Sequence, residues 1–269
     1  MTRTLQSRFV LGGIIYTALT LCLFGLAVYS LLPLNLEKMT VSLPGPQPRP
    51  QALPVTALPG IFALLVFSLA SLAGTRNLLQ KTAAPELFFL MLFFLSLTAE
   101  HLRAGILLLQ LRAFPARFAV TLTRAVYMGR LFGLLCLLVS SLYAVGFKYS
   151  HYSTLIGFLV LLAFTLASIL PIDSTRLEPD LLYRLGDPKV YLFVNYVLGF
   201  LMLLSFLVAR QTRGSRRFLT VALAALLVFL GKELLSRSLS PWSAAGGVLC
   251  LVGGTVLFSR QIGVVYLRV

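Results

Sequence analysis

The fold of this chain is decided by one apolar stretch, PELFFLMLFFLSLTAEHLRAGILLLQL, which occupies residues 85–111. A helix rises about 1.5 Å per residue, so a helix of this length can cross a hydrocarbon layer about 30 Å thick. Pro85 and Glu86 at its beginning are ordinary signals for the first turn of a helix. The stretch therefore predicts a membrane-spanning helix.

Similar apolar runs fill most of the remaining chain. Hydrophobic residues make up 58% of the 269 residues and charged residues only 12%, whereas soluble domains carry about 25% charged residues. The sequence therefore predicts an all-α, polytopic integral membrane bundle of about eight transmembrane helices, or seven if the second run is only re-entrant. The predicted spans are residues 9–32, 54–73, 85–111, 116–147, 153–170, 190–209, 218–235 and 244–259.

Two longer segments lie between the predicted spans. Residues 33–59 form a proline-rich loop, which is predicted to be extended or irregular and to lie outside the lipid. Residues 171–189 form an amphipathic surface loop in which Thr175 and Glu178 have capping-box spacing and leucines share one helical face. This second loop is predicted to contain a short helix lying on the membrane surface. Four of the eight acidic residues fall in it: Asp173, Glu178, Asp180 and Asp187.

The last predicted span contains paired glycines that recur seven residues apart. A face of small residues allows two helix backbones to approach closely within a membrane. The pattern predicts a tight helix–helix contact for this span. The glycines are Gly246, Gly247, Gly253 and Gly254.

Three ionisable residues, Glu100, His101 and Arg103, interrupt the third span. A charged side chain at the centre of a bilayer costs roughly 2.5–3.5 kcal/mol by the lower estimates, so such residues usually face a partner or a water-filled cavity. At about 1.5 Å per residue, Glu100 lies about 22 Å along its helix. Arg130 on the fourth span, and Lys232 and Glu233 on the seventh, are expected at a similar depth. In an antiparallel hairpin of the third and fourth helices, Glu100 also faces a position within one turn of Arg130.

These residues form a candidate polar ligand site. The alternative is a structural ion-pair network near the membrane surface, with long basic side chains reaching toward the headgroups. His101 is adjacent to Glu100 on the helix, so it is expected either to point elsewhere as a packing residue or to titrate near neutral pH. The candidate site comprises Glu100, His101, Arg103, Arg130, Lys232 and Glu233.

Basic residues set the expected orientation. With eight spans both termini lie on one side, and Lys and Arg divide equally between the two sides until those within helices are set aside. The compact group that follows the sixth span then decides the assignment, because short loops carry the positive-inside rule. We expect the protein to lie in the bacterial cytoplasmic (inner) membrane with both termini in the cytoplasm. We also expect this basic group to contact anionic lipid or a partner protein. The group is Arg210, Arg213, Arg216 and Arg217.

Three functions remain open. The first is a ligand- or lipid-binding sensor or accessory module that acts through other membrane or cytoplasmic proteins. The second is a small transporter or permease subunit, although the sequence shows no inverted repeat. The third is an intramembrane lipid-modifying enzyme with Glu100 and His101 as acid–base candidates, although no nucleophile stands beside them. No cofactor, metal-ligand or nucleic-acid-binding pattern is found, and the three cysteines lie in apolar runs.

Overall fold

The computed structural model describes residues 3–31, 40–42, 50–52, 57–82, 84–112, 114–215, 217–237 and 240–267. Within these ranges, eight helical segments are long and apolar enough to cross a membrane, which confirms the predicted all-α bundle. The helices are α1 (Arg3–Leu31), α2 (Leu58–Thr82), α3 (Pro85–Leu97), α4 (Leu102–Leu111), α5 (Ala116–Val145), α6 (Tyr152–Ile169), α7 (Pro188–Arg213), α8 (Arg217–Ser236) and α9 (Pro241–Leu267).

Most helices extend beyond the apolar runs from which they were predicted. The second span was predicted to end at residue 73, but α2 continues to Thr82. The last was predicted over 244–259, whereas α9 covers Pro241–Leu267. Hydropathy marks the part of a helix that lies in lipid, and the helix itself can continue into the interface because it satisfies its own backbone groups there.

Helix α5 lies at the centre of the bundle, where it packs against α3, α4, α6 and α7. Helices α8 and α9 form the most extensive pair, and α2 connects the two regions through contacts with α1, α3 and α9. The peripheral helices leave large apolar side chains exposed, among them Leu161, Phe193 and Leu249. Such faces are expected to contact lipid.

Glycines bring α8 and α9 into backbone contact, as the glycine pattern of the last span predicted. A Cβ atom added at Gly254 would lie 2.7 Å from the carbonyl oxygen of Ala224, and one at Gly247 would lie 2.8 Å from Leu235. Gly246 and Gly253 have open space around them. One glycine of each pair therefore makes the helix contact, because neighbouring residues face different sides of a helix.

A second close contact joins the third span to α5, and the sequence analysis missed it. Cβ atoms added at Gly129 and Gly133 would press directly on Ala99 and on the Ser96 hydroxyl, respectively. Gly129 and Gly133 are four residues apart, which is the spacing typical of tightly packed membrane helices. This crossing sets Glu100 opposite the next turn of α5.

The loop over residues 171–189 forms a β-hairpin, so the predicted amphipathic helix is wrong. Strand β3 (Ile172–Leu177) pairs antiparallel with β4 (Tyr183–Leu185). The Thr175 hydroxyl donates to Asp173 at 2.6 Å instead of capping a helix, and this bond, with that from the Thr175 N–H, lowers the pKa of the Asp173 carboxyl. In the other loop, most of which lies outside the described residues, strand β1 (Thr40–Ser42) pairs with strand β2 (Pro50–Ala52).

The hairpin buries the same leucines that suggested a helix. Leu181 packs with Leu31, Leu58 and Leu107, which come from three different helices. We call this side of the bundle the hairpin end. The opposite side, where α1 begins and α9 ends, is the termini end.

Candidate functional site

The candidate site is built where the third span loses its regular geometry. Thr98–His101 forms a 3₁₀ helix between α3 and α4, although a continuous helix was predicted. A 3₁₀ segment inside a helix is often found at functional hinges or at points of strain. Here it lies at the close crossing with α5, and it carries Glu100.

Glu100 is 3% exposed and is surrounded by two arginines. Arg130 donates from Nε to Oε1 at 2.7 Å and from Nη2 to Oε2 at 3.1 Å. Arg103 donates from Nη1 to Oε2 at 2.9 Å. The pairing of Glu100 with Arg130, expected from the helical hairpin, is confirmed. A carboxylate with three charge-assisted hydrogen bonds is well compensated for its burial.

The same arginines fasten the β-hairpin to the bundle. Arg103 Nε donates to the backbone carbonyl oxygen of Asp180 at 2.6 Å, and Arg130 Nη2 lies 3.6 Å from the Asp180 carboxylate. Gln110 of α4 donates to the hydroxyl of Tyr183, whose pKa is raised by burial. Much of the charge cluster therefore serves to hold the hairpin in place.

A cavity of about 380 Å³ opens beside this cluster, between the hairpin, α5, α7 and the end of α8. We call it the hairpin-end pocket. Its charged lining includes Arg184, whose Nε lies 3.5 Å from Glu178, and Arg237, whose Nη2 lies 3.3 Å from Glu233. The lining residues are Tyr127, Arg130, Glu178, Pro179, Asp180, Arg184, Leu185, Pro188, Tyr191, Leu192 and Arg237.

Two buried tyrosines form the inner wall of the pocket. The rings of Tyr127 and Tyr191 meet edge to face with centroids 4.9 Å apart. The guanidinium carbon of Arg130 lies 5.5 Å from the centre of the Tyr127 ring. The wall therefore combines a flat apolar surface with a cation held by the carboxylate behind it.

The predicted site residues divide into four groups. Arg130 lines the pocket, Glu100 and Arg103 lie behind it, and Glu233 reaches it through Arg237. His101 is bonded to the Thr98 carbonyl oxygen on its own helix and does not line the pocket.

Lys232 does not line the pocket either. It is 1% exposed, and its Nζ forms an ion pair with Glu233 Oε1 at 2.9 Å. Sequence reasoning missed several lining residues, since nothing in the local pattern brings the hairpin to the helix ends. They include Tyr127, Asp180, Arg184, Tyr191 and Arg237.

The described members of the predicted arginine group lie at the termini end. Arg210 is exposed, Arg217 begins α8, and Arg216 lies outside the described residues. Arg213 instead turns toward the bundle, where its Nη2 donates to the Tyr143 carbonyl oxygen at 3.1 Å. Nearby, Glu86 is fully buried and accepts a hydrogen bond from the Tyr266 hydroxyl, a contact beyond the first-turn role predicted for it.

This chain matches no model of a protein family, no curated protein and no solved structure. The geometry and the charges of the two ends of the bundle are therefore the basis for a functional assignment.

Proposed function

We propose that this multi-pass membrane protein binds a small organic anion in the hairpin-end pocket and acts as a ligand-binding sensor or accessory module for partner proteins. One observation carries the proposal. Three guanidinium groups, those of Arg130, Arg184 and Arg237, converge on a single cavity walled by tyrosine rings. The described lining sets these three arginines against two carboxylates, Glu178 and Asp180.

Arg184 and Arg237 are the groups available to a ligand. Their side chains are 45% and 48% exposed, and in the described residues each has one ion pair longer than 3 Å. The pair of Arg184 with Glu178 is about half exposed on both sides, and exposed pairs of this kind contribute about 0–1 kcal/mol, so a ligand can replace it at little cost. Glu233, the partner of Arg237, also has Lys232 as an ion-pair partner. The planar guanidinium matches a carboxylate or phosphate with two parallel hydrogen bonds, which favours an anionic group.

The apolar part of the pocket favours an organic ligand over a bare ion. Leu185, Pro188 and Leu192 line it together with the two tyrosine rings. Its volume of about 380 Å³ falls within the roughly 300–1,000 Å³ typical of small-molecule sites. The anionic group would face the exposed arginines, and the body of the ligand would lie on the rings.

Ligand binding is expected to affect the hairpin, because Arg130 touches both. This arginine bonds Glu100 and lies near Asp180, so an anion at the edge of Arg130 that lines the pocket would compete with the Asp180 contact. A shift of the hairpin is a signal that a partner protein can read on the membrane surface. For such a response, the ligand must bind more tightly to the protein in one position of the hairpin than in another.

The distribution of basic residues supports an orientation with both termini in the cytoplasm of a bacterial cell, across the cytoplasmic membrane. Arg210, Arg213 and Arg217 lie around the short connection between α7 and α8 at the termini end, and short basic loops stay cytoplasmic. The hairpin-end pocket then opens outward. In this orientation it samples solutes outside the cell or headgroups of the outer leaflet.

Native mass spectrometry of the protein released gently from its membrane tests the proposal. We expect an adduct on the wild type that is lost in the variant carrying Arg184→Gln and Arg237→Gln. Arg176→Gln is the matched control, because Arg176 is an exposed hairpin arginine outside the pocket. An adduct retained by the double variant, or absent from the wild type, contradicts the proposal. The mass of a lost adduct identifies the ligand class.

A further inference from the structure

A second cavity, of about 390 Å³, lies at the termini end. It is formed by the ends of α5, α7 and α9, the beginnings of α3 and α6, and the turn between α5 and α6. We call it the termini-end pocket. Its lining residues are Pro85, Tyr143, Gly146, Phe147, Lys148, Tyr149, Ser150, Tyr152, Arg213 and Tyr266.

Among the described residues, the lining contains two cations, Lys148 and Arg213, and no carboxylate. Among the described residues, Glu86 is the one acidic side chain at this end of the bundle, and it is buried behind Tyr266. No described carboxylate lies within ion-pair distance of Lys148. The described lining therefore places two cations around the cavity with no carboxylate in contact with it, whereas each arginine that lines the hairpin-end pocket has an ion-pair partner.

Arg213 is held in position although its side chain is exposed. Its Nη2 donates to the Tyr143 carbonyl oxygen at 3.1 Å, and its guanidinium carbon lies 5.4 Å from the centre of the Phe218 ring. It also contacts the Tyr266 hydroxyl, which in turn donates to Glu86. An arginine already fixed by its surroundings loses less conformational entropy when an anion binds.

The turn that carries Lys148 is also shaped by specific contacts. Gly146 ends α5 at φ 116°, a left-handed conformation that favours glycine. The Tyr143 hydroxyl then donates to the Tyr149 carbonyl oxygen at 2.8 Å and ties the turn back to α5. Because Tyr143 also accepts the bond from Arg213, one residue positions both cation-bearing elements around the cavity.

We propose that the termini-end pocket binds the phosphate of an anionic phospholipid between Lys148 and Arg213. Tyrosines are enriched at the headgroup level of a membrane. In this pocket their hydroxyls would face the glycerol, and their rings would form an apolar wall for the first carbons of the acyl chains. The site is separate from the hairpin-end pocket and does not rest on the function proposed for it. A soluble phosphorylated molecule would offer the same phosphate chemistry without the acyl chains.

The test measures binding of phosphatidylglycerol and phosphatidylcholine to the full-length protein in detergent by native mass spectrometry. The variant carries Lys148→Gln and Arg213→Gln. Its control carries Arg210→Gln and Arg260→Gln, which remove the same charge from exposed residues outside the pocket. Lys148→Gln alone is also measured, because Lys148 is exposed and its loss leaves the described packing intact. A further arm uses glycerol 3-phosphate.

We expect the wild type and the control to bind phosphatidylglycerol in preference to phosphatidylcholine. Affinity for phosphatidylglycerol should fall at least about tenfold in the pocket variant and by a smaller factor in Lys148→Gln. Binding of glycerol 3-phosphate with the same dependence on the pocket would support the phosphate site and identify a soluble source. Equal losses in the pocket variant and the control, or unchanged binding in both, would overturn the proposal.

Discussion

Replacement of Glu100 by glutamine is the most informative single change in this protein. It removes the charge that Arg103 and Arg130 share through three hydrogen bonds, with both arginines almost fully buried. Arg103 keeps the Asp180 carbonyl oxygen as a partner, and Arg130 keeps the 3.6 Å contact with the Asp180 carboxylate and its place over the Tyr127 ring. Breaking a buried ion pair by removing one partner typically costs about 3–5 kcal/mol.

Thermal unfolding in detergent measures this cost. A loss of 3 kcal/mol or more corresponds to a fall in Tm of at least about 6 °C, at roughly 2 °C per kcal/mol for a chain of this size. The matched control is Glu178→Gln, because the pair between Glu178 and Arg184 is about half exposed and 3.5 Å long. Its expected cost is below about 1 kcal/mol.

A Glu100→Gln variant no less stable than the Glu178→Gln control would refute the assignment of Glu100 as the central counter-ion. The same samples separate the structural contribution of Glu100 from ligand binding. If the cluster only holds the hairpin, the Glu100→Gln variant melts earlier but keeps any adduct seen on the wild type. If the cluster also sets the position of Arg130 for a ligand, the adduct weakens as well.

Two further predictions concern packing and orientation. Gly129→Ala places a methyl group against Ala99 at the crossing of the third span with α5, so we expect thermal unfolding to show a loss of stability of about 1–3 kcal/mol. The control, Gly12→Ala, has open space around the added methyl group and should leave stability unchanged. Equal losses in the two variants would contradict the crossing. The orientation is tested in a background with the native cysteines replaced by serine. Arg176→Cys should react with a membrane-impermeant maleimide added to whole cells, and Arg210→Cys should react only after lysis. The reverse pattern of labelling would invert the proposed orientation.

Some features of the site could be derived from the sequence because they depend on local geometry alone. A short connection forces the third and fourth spans into an antiparallel pair, so the distance of each residue from the turn fixes its opposite partner. This reasoning placed Glu100 beside Arg130. It could not show that Gly129 and Gly133 bring the helices into direct contact there, although their four-residue spacing was a signal that could have been used.

The loop over residues 171–189 shows why other features could not be derived. An amphipathic helix and a hairpin that buries the same leucines satisfy one hydrophobic pattern equally well. The choice depends on contacts with distant residues, such as Arg103 with the Asp180 carbonyl oxygen and Leu181 with Leu107. These partners lie far apart in the chain, and no local period encodes them.

The sequence by itself predicted an all-α bundle of about eight membrane-spanning helices. Its apolar runs are long enough to cross a bilayer, and a helix satisfies its own backbone groups there. The sequence also determined that charged residues inside the runs must be compensated. Only the tertiary structure decided which residues compensate them and which cations remain available. The two pockets are assembled from helix ends, a hairpin and a turn that come together only when the helices pack, so their linings are properties of the fold and not of any one segment.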